Sequence, residues 1–214
     1  MEYTVAFRGA YLLIGAYLLG SISWGLIIGR LRRGIDLRQL GSGGTGATNV
    51  LRTMGPRFAA VVLVADMAKG VTAVALARLL ADDIPMLVAL ASILVIVGHI
   101  WPVFSRFRGG RGIATAVGAL VMISLPTAIM ATVLFLPAVA ITRYVSLGSL
   151  LAVITAMIMV PVLSAAGDVP WEYAVFSTVG GSMILWRHRE NVKRLLNGTE
   201  RRMSFRREQP SGNK

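Results

Sequence analysis

Apolar residues fall into long blocks along this chain, separated by short segments rich in glycine and arginine. A helix needs about 20 mostly apolar residues to cross a bilayer. The first block, roughly 9–28, is followed rather than preceded by a basic cluster (Arg30, Arg32, Arg33), and further blocks come after it. That order predicts a retained span, not a cleaved signal. Within the block Ser21, Gly25 and Gly29 recur every fourth residue, a stripe expected to let another helix approach closely. Further spans are expected near 58–80, 85–104, 147–165 and 171–186. The block 113–141 is too long for one simple crossing, and Pro126 divides it.

Charge parity decides how often 113–141 crosses. Segments 30–57 and 105–111, Arg143 and everything from Arg187 onward are basic, whereas 81–84 (Asp82, Asp83) and 166–172 (Asp168, Glu172) are acidic or neutral. Two crossings put every basic segment on one side, and lysine and arginine mark the cytoplasmic side. The expected fold is therefore an all-α membrane protein with seven transmembrane helices, N-terminus outside and C-terminus cytoplasmic, as a single domain over 1–198. Residues 199–214 are expected to form a basic, disordered tail that touches anionic lipid headgroups.

Composition agrees with this reading. Of 214 residues 55% are hydrophobic and only 15% charged, with a mean hydropathy of +0.68, against about a quarter charged in soluble domains. The net charge of +12 sits between apolar blocks, so nucleic acid is not the expected partner. With no cysteine, thiol chemistry and Cys-ligated metals are excluded. No metal or cofactor is expected, and the chain is expected to act as a monomer.

The unusual residues cluster in the basic segments. Gly41-Ser42-Gly43-Gly44-Thr45-Gly46-Ala47-Thr48-Asn49-Val50-Leu51-Arg52 contains G-x-G-x-x-G, but that fingerprint has meaning only within a βαβ unit, and none is expected here. What remains is physical: closely spaced glycines let backbone N–H groups converge on an anion. Ser42, Thr48 and Asn49 add side-chain donors and Arg52 adds charge; the bland reading is a flexible loop. The second segment, from Gly98 and His99 to Gly112, interleaves Arg106, Arg108 and Arg111 with Gly109 and Gly110 and leads into a helix, a pattern suited to anion binding. His99 reads either as a helix-end histidine or as a substrate contact. In the third, Arg143 to Ser149, Ser146 or Ser149 caps the next helix or meets substrate. In the fourth, His188 and Asn191 share one helical face, on either a plain amphipathic surface helix or a site. Asp66 and Lys69 lie inside an apolar block at i,i+3, where they can neutralise one another, and buried ionisable residues in spans are functional candidates.

Five ordered motifs carry a family resemblance: G-S-G-G-T-G-A-T-N-V-L-R at 41–52, D-x-x-K-G at 66–70, G-H-x-W-P-V-F-x-R-F-R-G-G-R-G-x-A-T at 98–115, R-Y-x-S-L-x-S at 143–149 and R-H-x-x-N-x-x-R-L-x-x-G-x-E at 187–200. In these the chain resembles the acyl-phosphate-dependent glycerol-3-phosphate acyltransferases of bacterial inner membranes. The resemblance implies a seven-span fold. It also implies transfer of a fatty acyl group from acyl phosphate to the 1-hydroxyl of sn-glycerol 3-phosphate, giving lysophosphatidic acid and phosphate, the first step of phospholipid synthesis. Gly44-Thr45 departs from the family's usual Asn-Pro or Asn-x, and Arg108 and Arg111 stand where lysine is usual; arginine keeps the charge and can bind phosphate bidentately.

No H-x-x-x-x-D dyad, Ser-His-Asp order or aspartate cluster appears in the basic segments, so an activated donor and electrostatic positioning are expected to carry the reaction. Ser42, Asn49, His99, Ser149, His188 and Asn191 are the expected catalytic set. Gly41, Gly43, Gly46, Thr48, Arg52, Asp66, Lys69, Arg108, Gly110 and Arg111 are the expected substrate contacts. The 41–49 loop is expected to hold acyl phosphate, and Arg52 and Arg111 to clamp glycerol phosphate. His188, Asn191 and Ser149 orient the acceptor hydroxyl, with the donor's own phosphate taking its proton. An organic-phosphate transporter is the alternative, although transporters usually bind near the bilayer midplane.

Overall fold

A computed structural model describes residues 2–203, with side chains from Phe7. Ten helices run α1 (Glu2–Gly20), α2 (Trp24–Arg33), α3 (Ala47–Met54), α4 (Pro56–Leu80), α5 (Pro85–Ile100), α6 (Ile113–Ile123), α7 (Leu125–Thr142), α8 (Val145–Ala165), α9 (Glu172–Arg187) and α10 (Arg189–Leu196), with 3-10 turns at Leu37–Gln39 and Val103–Ser105. No strand occurs among the described residues, so the glycine loop has no βαβ unit to serve.

Several helix starts follow from proline at a first-turn position, where its missing N–H costs nothing: Pro56 in α4, Pro85 in α5 and Pro126 in α7. Pro126 thus divides 113–141 as expected, and the Ser124 and Thr127 hydroxyls meet at 2.8 Å across the break. Among the described residues five segments are long and apolar enough to cross a membrane: Phe7–Arg33, Pro56–Leu80, Pro85–Ser105, Leu125–Thr142 and Val145–Ala165. α6 and α9 are shorter, with 11 and 16 residues.

α5 is the central helix, with Val88, Val95, Ile96 and Ile100 buried. α1, α4, α6 and α9 surround it, and α7 and α8 form a hairpin that leans on α9. α4 and α6 pack backbone to backbone: a Cβ at Gly70 would collide with the Thr115 carbonyl, and one at Gly118 with the Met67 carbonyl. Large apolar side chains such as Leu79 and Ile141 point outward, 76% and 82% exposed, which suits lipid rather than water.

Two expectations are corrected here. The first apolar block is not one continuous helix, because it breaks between α1 and α2 around Ser21–Ser23. Lys69 Nζ enters that break and donates to the Gly20 and Ile22 carbonyls at 3.0 and 3.2 Å. The Ser21/Gly25/Gly29 stripe therefore serves a loop rather than a partner span: Gly25 abuts the Thr45 carbonyl and Gly29 faces Leu37. Nor is the tail free from residue 199. Glu200 is buried and Met203 N–H donates to the Arg143 carbonyl at 2.6 Å. The stretch 204–214 lies outside the described residues.

Candidate active site

Two cavities, the first mixed and the second mainly polar, adjoin at the end of the bundle where the arginines collect. The first, with room for about 130 Å³, lies among the glycine loop, the first turn of α3, Asp66, His99, the 110–114 turn, Ser146, Ser149 and His188. The second, about 350 Å³, is bounded by 41–44, Arg52, 109–111, Arg187, Asn191, Arg194 and Glu200. They share Ser42, Gly44, Gly110 and Arg111.

The glycine loop is held from inside by Asn49. Its Oδ1 accepts from Ser42 N–H at 2.9 Å, and its Nδ2 reaches the carbonyls of Leu37, Leu40 and Gly44 at 3.0, 3.1 and 2.8 Å. A side chain spent this way shapes the loop, so Asn49 is a positioning residue and not the expected catalytic group. A Cβ at Gly41 would strike Asn49 Oδ1, which ties that glycine to the same brace. Val50, Met54 and Leu37 form a small core beneath it with Leu26 and Val62. Arg38 links the loop to the other glycine segment, pairing with Asp36 at 2.5 Å and donating to the Ser105 carbonyl at 3.0 Å. Gly46 and Thr48 line the first cavity at the α3 N-terminus, which brings backbone N–H groups to it, whereas Gly43 lines the second with its own N–H donated to the Leu40 carbonyl.

His99 sits at the end of α5 beneath the second glycine segment. Its Nδ1 is 3.2 Å from Thr115 Oγ1 and 3.6 Å from Asp66 Oδ1, and a Cβ at Gly110 would collide with its Nε2. Gly110 is therefore glycine because the ring occupies the space a side chain would need. Asp66 pairs with Lys69 at 3.0 Å, both buried. Lys69 lines neither cavity: it was expected at the substrate, and is instead consumed by Asp66 and the α1–α2 break.

His188 is 1% exposed and its Nδ1 lies 2.8 Å from the Ile184 carbonyl. A carbonyl can only accept, so Nδ1 carries the proton and Nε2 is the acceptor. Burial pushes this imidazole down to about 4; Arg111 and Arg187 add to the shift and the Ile184 contact opposes it. The ring is neutral at pH 7. Asn191 donates to Glu200 Oε1 at 2.8 Å, while its Oδ1 is buried without a hydrogen-bond partner among the described residues. Ser149 lines the first cavity but donates to the Val145 carbonyl at 2.9 Å, a bond within its own helix.

Arg111 is pushed down to about 10 by burial, with Glu200 opposing the shift and Arg194, Arg52 and Arg187 adding to it. It remains charged at neutral pH. Glu200 is the residue that the sequence reading passed over. It accepts from Ser146 at 2.9 Å, Asn191 at 2.8 Å and Arg194 at 2.8 Å. Burial pushes its carboxyl up, but these hydrogen bonds outweigh that and hold it below the ordinary value. The available signal was the acid that ends the motif at 187–200, nine residues beyond Asn191 and past Gly198. Arg108, by contrast, is exposed and lines neither cavity. The structure therefore does not bring Arg108, expected as a phosphate contact, into either cavity with Arg111.

A cavity crowded by Arg52, Arg111, Arg187 and Arg194 beside a glycine-rich loop suits an anionic ligand. Comparisons with known proteins point the same way. The sequence profile of the glycerol-3-phosphate acyltransferase family matches residues 10–198. The chain is 42% identical to a glycerol-3-phosphate acyltransferase of Halalkalibacterium halodurans, over 94% of this chain and 98% of that one. It is 41% identical to a protein of the same name in Clostridioides difficile, over 93% and 98%. Crystal structures of PlsY, an integral membrane glycerol 3-phosphate acyltransferase, superpose closely. The glycerol 3-phosphate form has a TM-score of 0.84 at 36% identity, covering 92% of this chain and 96% of that one. The lysophosphatidic acid form has a TM-score of 0.81 at 35% identity, with the same coverage. These relatives are enzymes and lend nothing to the transporter alternative. On sequence and fold alike, the chain belongs to the glycerol-3-phosphate acyltransferase family of membrane enzymes.

Proposed function

We propose that this enzyme transfers a fatty acyl group from acyl phosphate to the 1-hydroxyl of sn-glycerol 3-phosphate, releasing lysophosphatidic acid and inorganic phosphate at the cytoplasmic face of the bacterial inner membrane. The observation that carries the reading is the pair of cavities sharing Ser42, Gly44, Gly110 and Arg111. Two phosphate-bearing substrates placed there would bring acyl carbon and hydroxyl together across one seam. The arginine-rich cavity suits the glycerol phosphate, through Arg52 and Arg111. The loop and α3 N-terminus suit the donor phosphate, and the neighbouring apolar wall at Leu63, Ile113 and Phe135 suits the start of its chain.

In this arrangement the acceptor oxygen attacks the acyl carbonyl carbon, the carbon–oxygen bond to phosphate breaks, and the hydroxyl proton passes to the departing phosphate. Fixed cations and backbone N–H groups stabilise the leaving charge without reorganising, usually the largest single contribution to catalysis. Asn191 Oδ1 and His188 Nε2 are the groups suited to orient the attacking hydroxyl, since both are acceptors rather than spent donors. In the membrane the chain is arranged as seven spans, N-terminus outside, with α6 and α9 as the short crossings. Reconstituted enzyme offered acyl phosphate, acyl-coenzyme A and acyl carrier protein thioester in separate reactions should turn over with the first alone. Turnover with a thioester at a matching rate would overturn the donor assignment.

A further inference from the structure

A second cavity system lies at the far end of the bundle from the site above. It is a groove of about 640 Å³ between α1 and α4, walled by Leu12, Leu19, Leu76 and Leu79, with Gly15 in its floor and Arg8 and Asp82 at its rim. The helix rise places the two ends of the groove at one level. Lys69 is bonded to the Gly20 carbonyl; Arg8 is 12 residues before Gly20 and Leu80 is 11 after Lys69, so at 1.5 Å per residue both rims stand about 17–18 Å from that bond. Asp83 is engaged by Arg78 at 3.6 Å, whereas Arg8 and Asp82 have no ion pair among the described residues.

An apolar trough between spans with charges at its mouth has the form of a lipid site. The signs of the charges narrow the ligand. An anionic lipid would satisfy Arg8 but set its headgroup against Asp82. A zwitterionic lipid offers phosphate to the one and ammonium to the other. We infer that the α1–α4 groove binds one zwitterionic, amine-bearing phospholipid, its phosphate on Arg8, its amine on Asp82 and an acyl chain over Gly15. This site is separate from catalysis: in the seven-span arrangement it faces the outer leaflet, so its occupant is a resident lipid and not a substrate.

The test uses the full chain purified in mild detergent and offered equal amounts of phosphatidylethanolamine and phosphatidylglycerol, with retained lipid read by native mass spectrometry. One phosphatidylethanolamine per chain should be retained, in several-fold excess over phosphatidylglycerol. A Cβ at Gly15 meets nothing within 4 Å, so Gly15→Leu should fill the trough without disturbing the fold, losing the lipid and keeping acyltransfer at the wild-type rate. Asp82→Lys should reverse the preference toward phosphatidylglycerol. Equal retention of the two lipids by the wild type would overturn the proposal, as would undiminished phosphatidylethanolamine in Gly15→Leu. So would a dimer that Gly15→Leu dissolves, since the groove would then belong to a second copy.

Discussion

Removing the Glu200 carboxylate is the sharpest probe of how the site is held together. Its two oxygens accept from Ser146, Asn191 and Arg194, and it is 8% exposed. In Glu200→Ala, Asn191 and Ser146 lose their acceptor, and each stranded polar group costs about 1–3 kcal/mol. Arg194 is 38% exposed, so its lost pairing is discounted to about 0–1 kcal/mol. Their sum, about 2–7 kcal/mol, should lower the thermal midpoint by roughly 4–28 °C for a chain of this size. Glu200→Gln keeps an acceptor oxygen for Ser146 and Asn191 and should lose about half as much. The charge effect runs the other way. With the carboxylate gone, Arg111, Arg52 and Arg194 repel one another unopposed, so an incoming dianion relieves more repulsion in the variant than in the wild type. In Glu200→Gln, KM for glycerol 3-phosphate should therefore stay level or fall while kcat drops, because Asn191 is less well held. Thermal scanning and initial-rate kinetics on the same preparations separate the two effects. A Glu200→Ala enzyme melting within 2 °C of the wild type would refute this account, as would a Glu200→Gln enzyme whose only defect is a raised KM; these thresholds follow from the roughly 1 kcal/mol reached by a single lost contact.

Arg111→Ala should cost about 2–3 kcal/mol in kcat/KM for glycerol 3-phosphate, the scale of a charge-assisted contact, and Arg111→Lys should retain most activity; steady-state kinetics that leave Arg111→Ala unimpaired would remove it from the site. His188 makes stability depend on pH. Its imidazole titrates near 6.5 unfolded but about 4 folded, so the unfolded chain binds more protons between those values. The contribution is complete above about pH 6.5 and up to about 3 kcal/mol is lost as pH falls toward 4; melts over that range should flatten in His188→Asn. Lys69→Met leaves Asp66 with only the His99 ring beside it and the Gly20 and Ile22 carbonyls uncapped, and should cost about 3–5 kcal/mol of stability with KM for both substrates unchanged; a raised KM at normal stability would restore Lys69 to the substrate. In this cysteine-free chain, a cysteine at Asp168 should label from outside and one at Arg108 only after permeabilisation, and labelling of the Arg108 position from outside would overturn the orientation.

Helices, their approximate limits and the charged segments between them were legible in the sequence, because apolar block length and glycine–arginine punctuation are local signals. The division at Pro126 was legible for the same reason, since proline acts on its own backbone. The break at Ser21–Ser23 was not. What stabilises it is a lysine 47–49 residues away donating to freed carbonyls, and an apolar pattern carries no trace of such a partner. Asn49 was found but its work was misread: a donor-rich side chain in a glycine loop suits a ligand, yet three carbonyls of its own loop take the amide. Arg108 and Arg111 look alike three residues apart in one basic turn, and only the path of that turn sends one inward and the other to solvent. Glu200 was hidden by its neighbours, because an acid in a basic tail reads as incidental until its three donors are assembled around it.

That assembly explains how the enzyme tolerates so much positive charge at one point. Arginines gathered around one cavity repel each other, and burial adds to that by pushing Arg111 down to about 10. One carboxylate, drawn from beyond the last described helix, offsets the repulsion without filling the site, because its oxygens face Ser146, Asn191 and Arg194 and not the cavity seam. The same residue holds Asn191 so that Oδ1 is left to accept. If the proposed reaction holds, the docking of residues 199–203 serves catalysis, because a segment that composition marks as solvent-borne brings Glu200 into the charge balance of the site. Because Glu200 braces donors from α8 and α10 at once, the geometry that presents Asn191 and the electrostatics that hold Arg111 rest on a single group. In the proposed reaction substrate phosphate would complete a neutralisation that the protein leaves unfinished, and the binding free energy released would be available to align the hydroxyl with the acyl carbon.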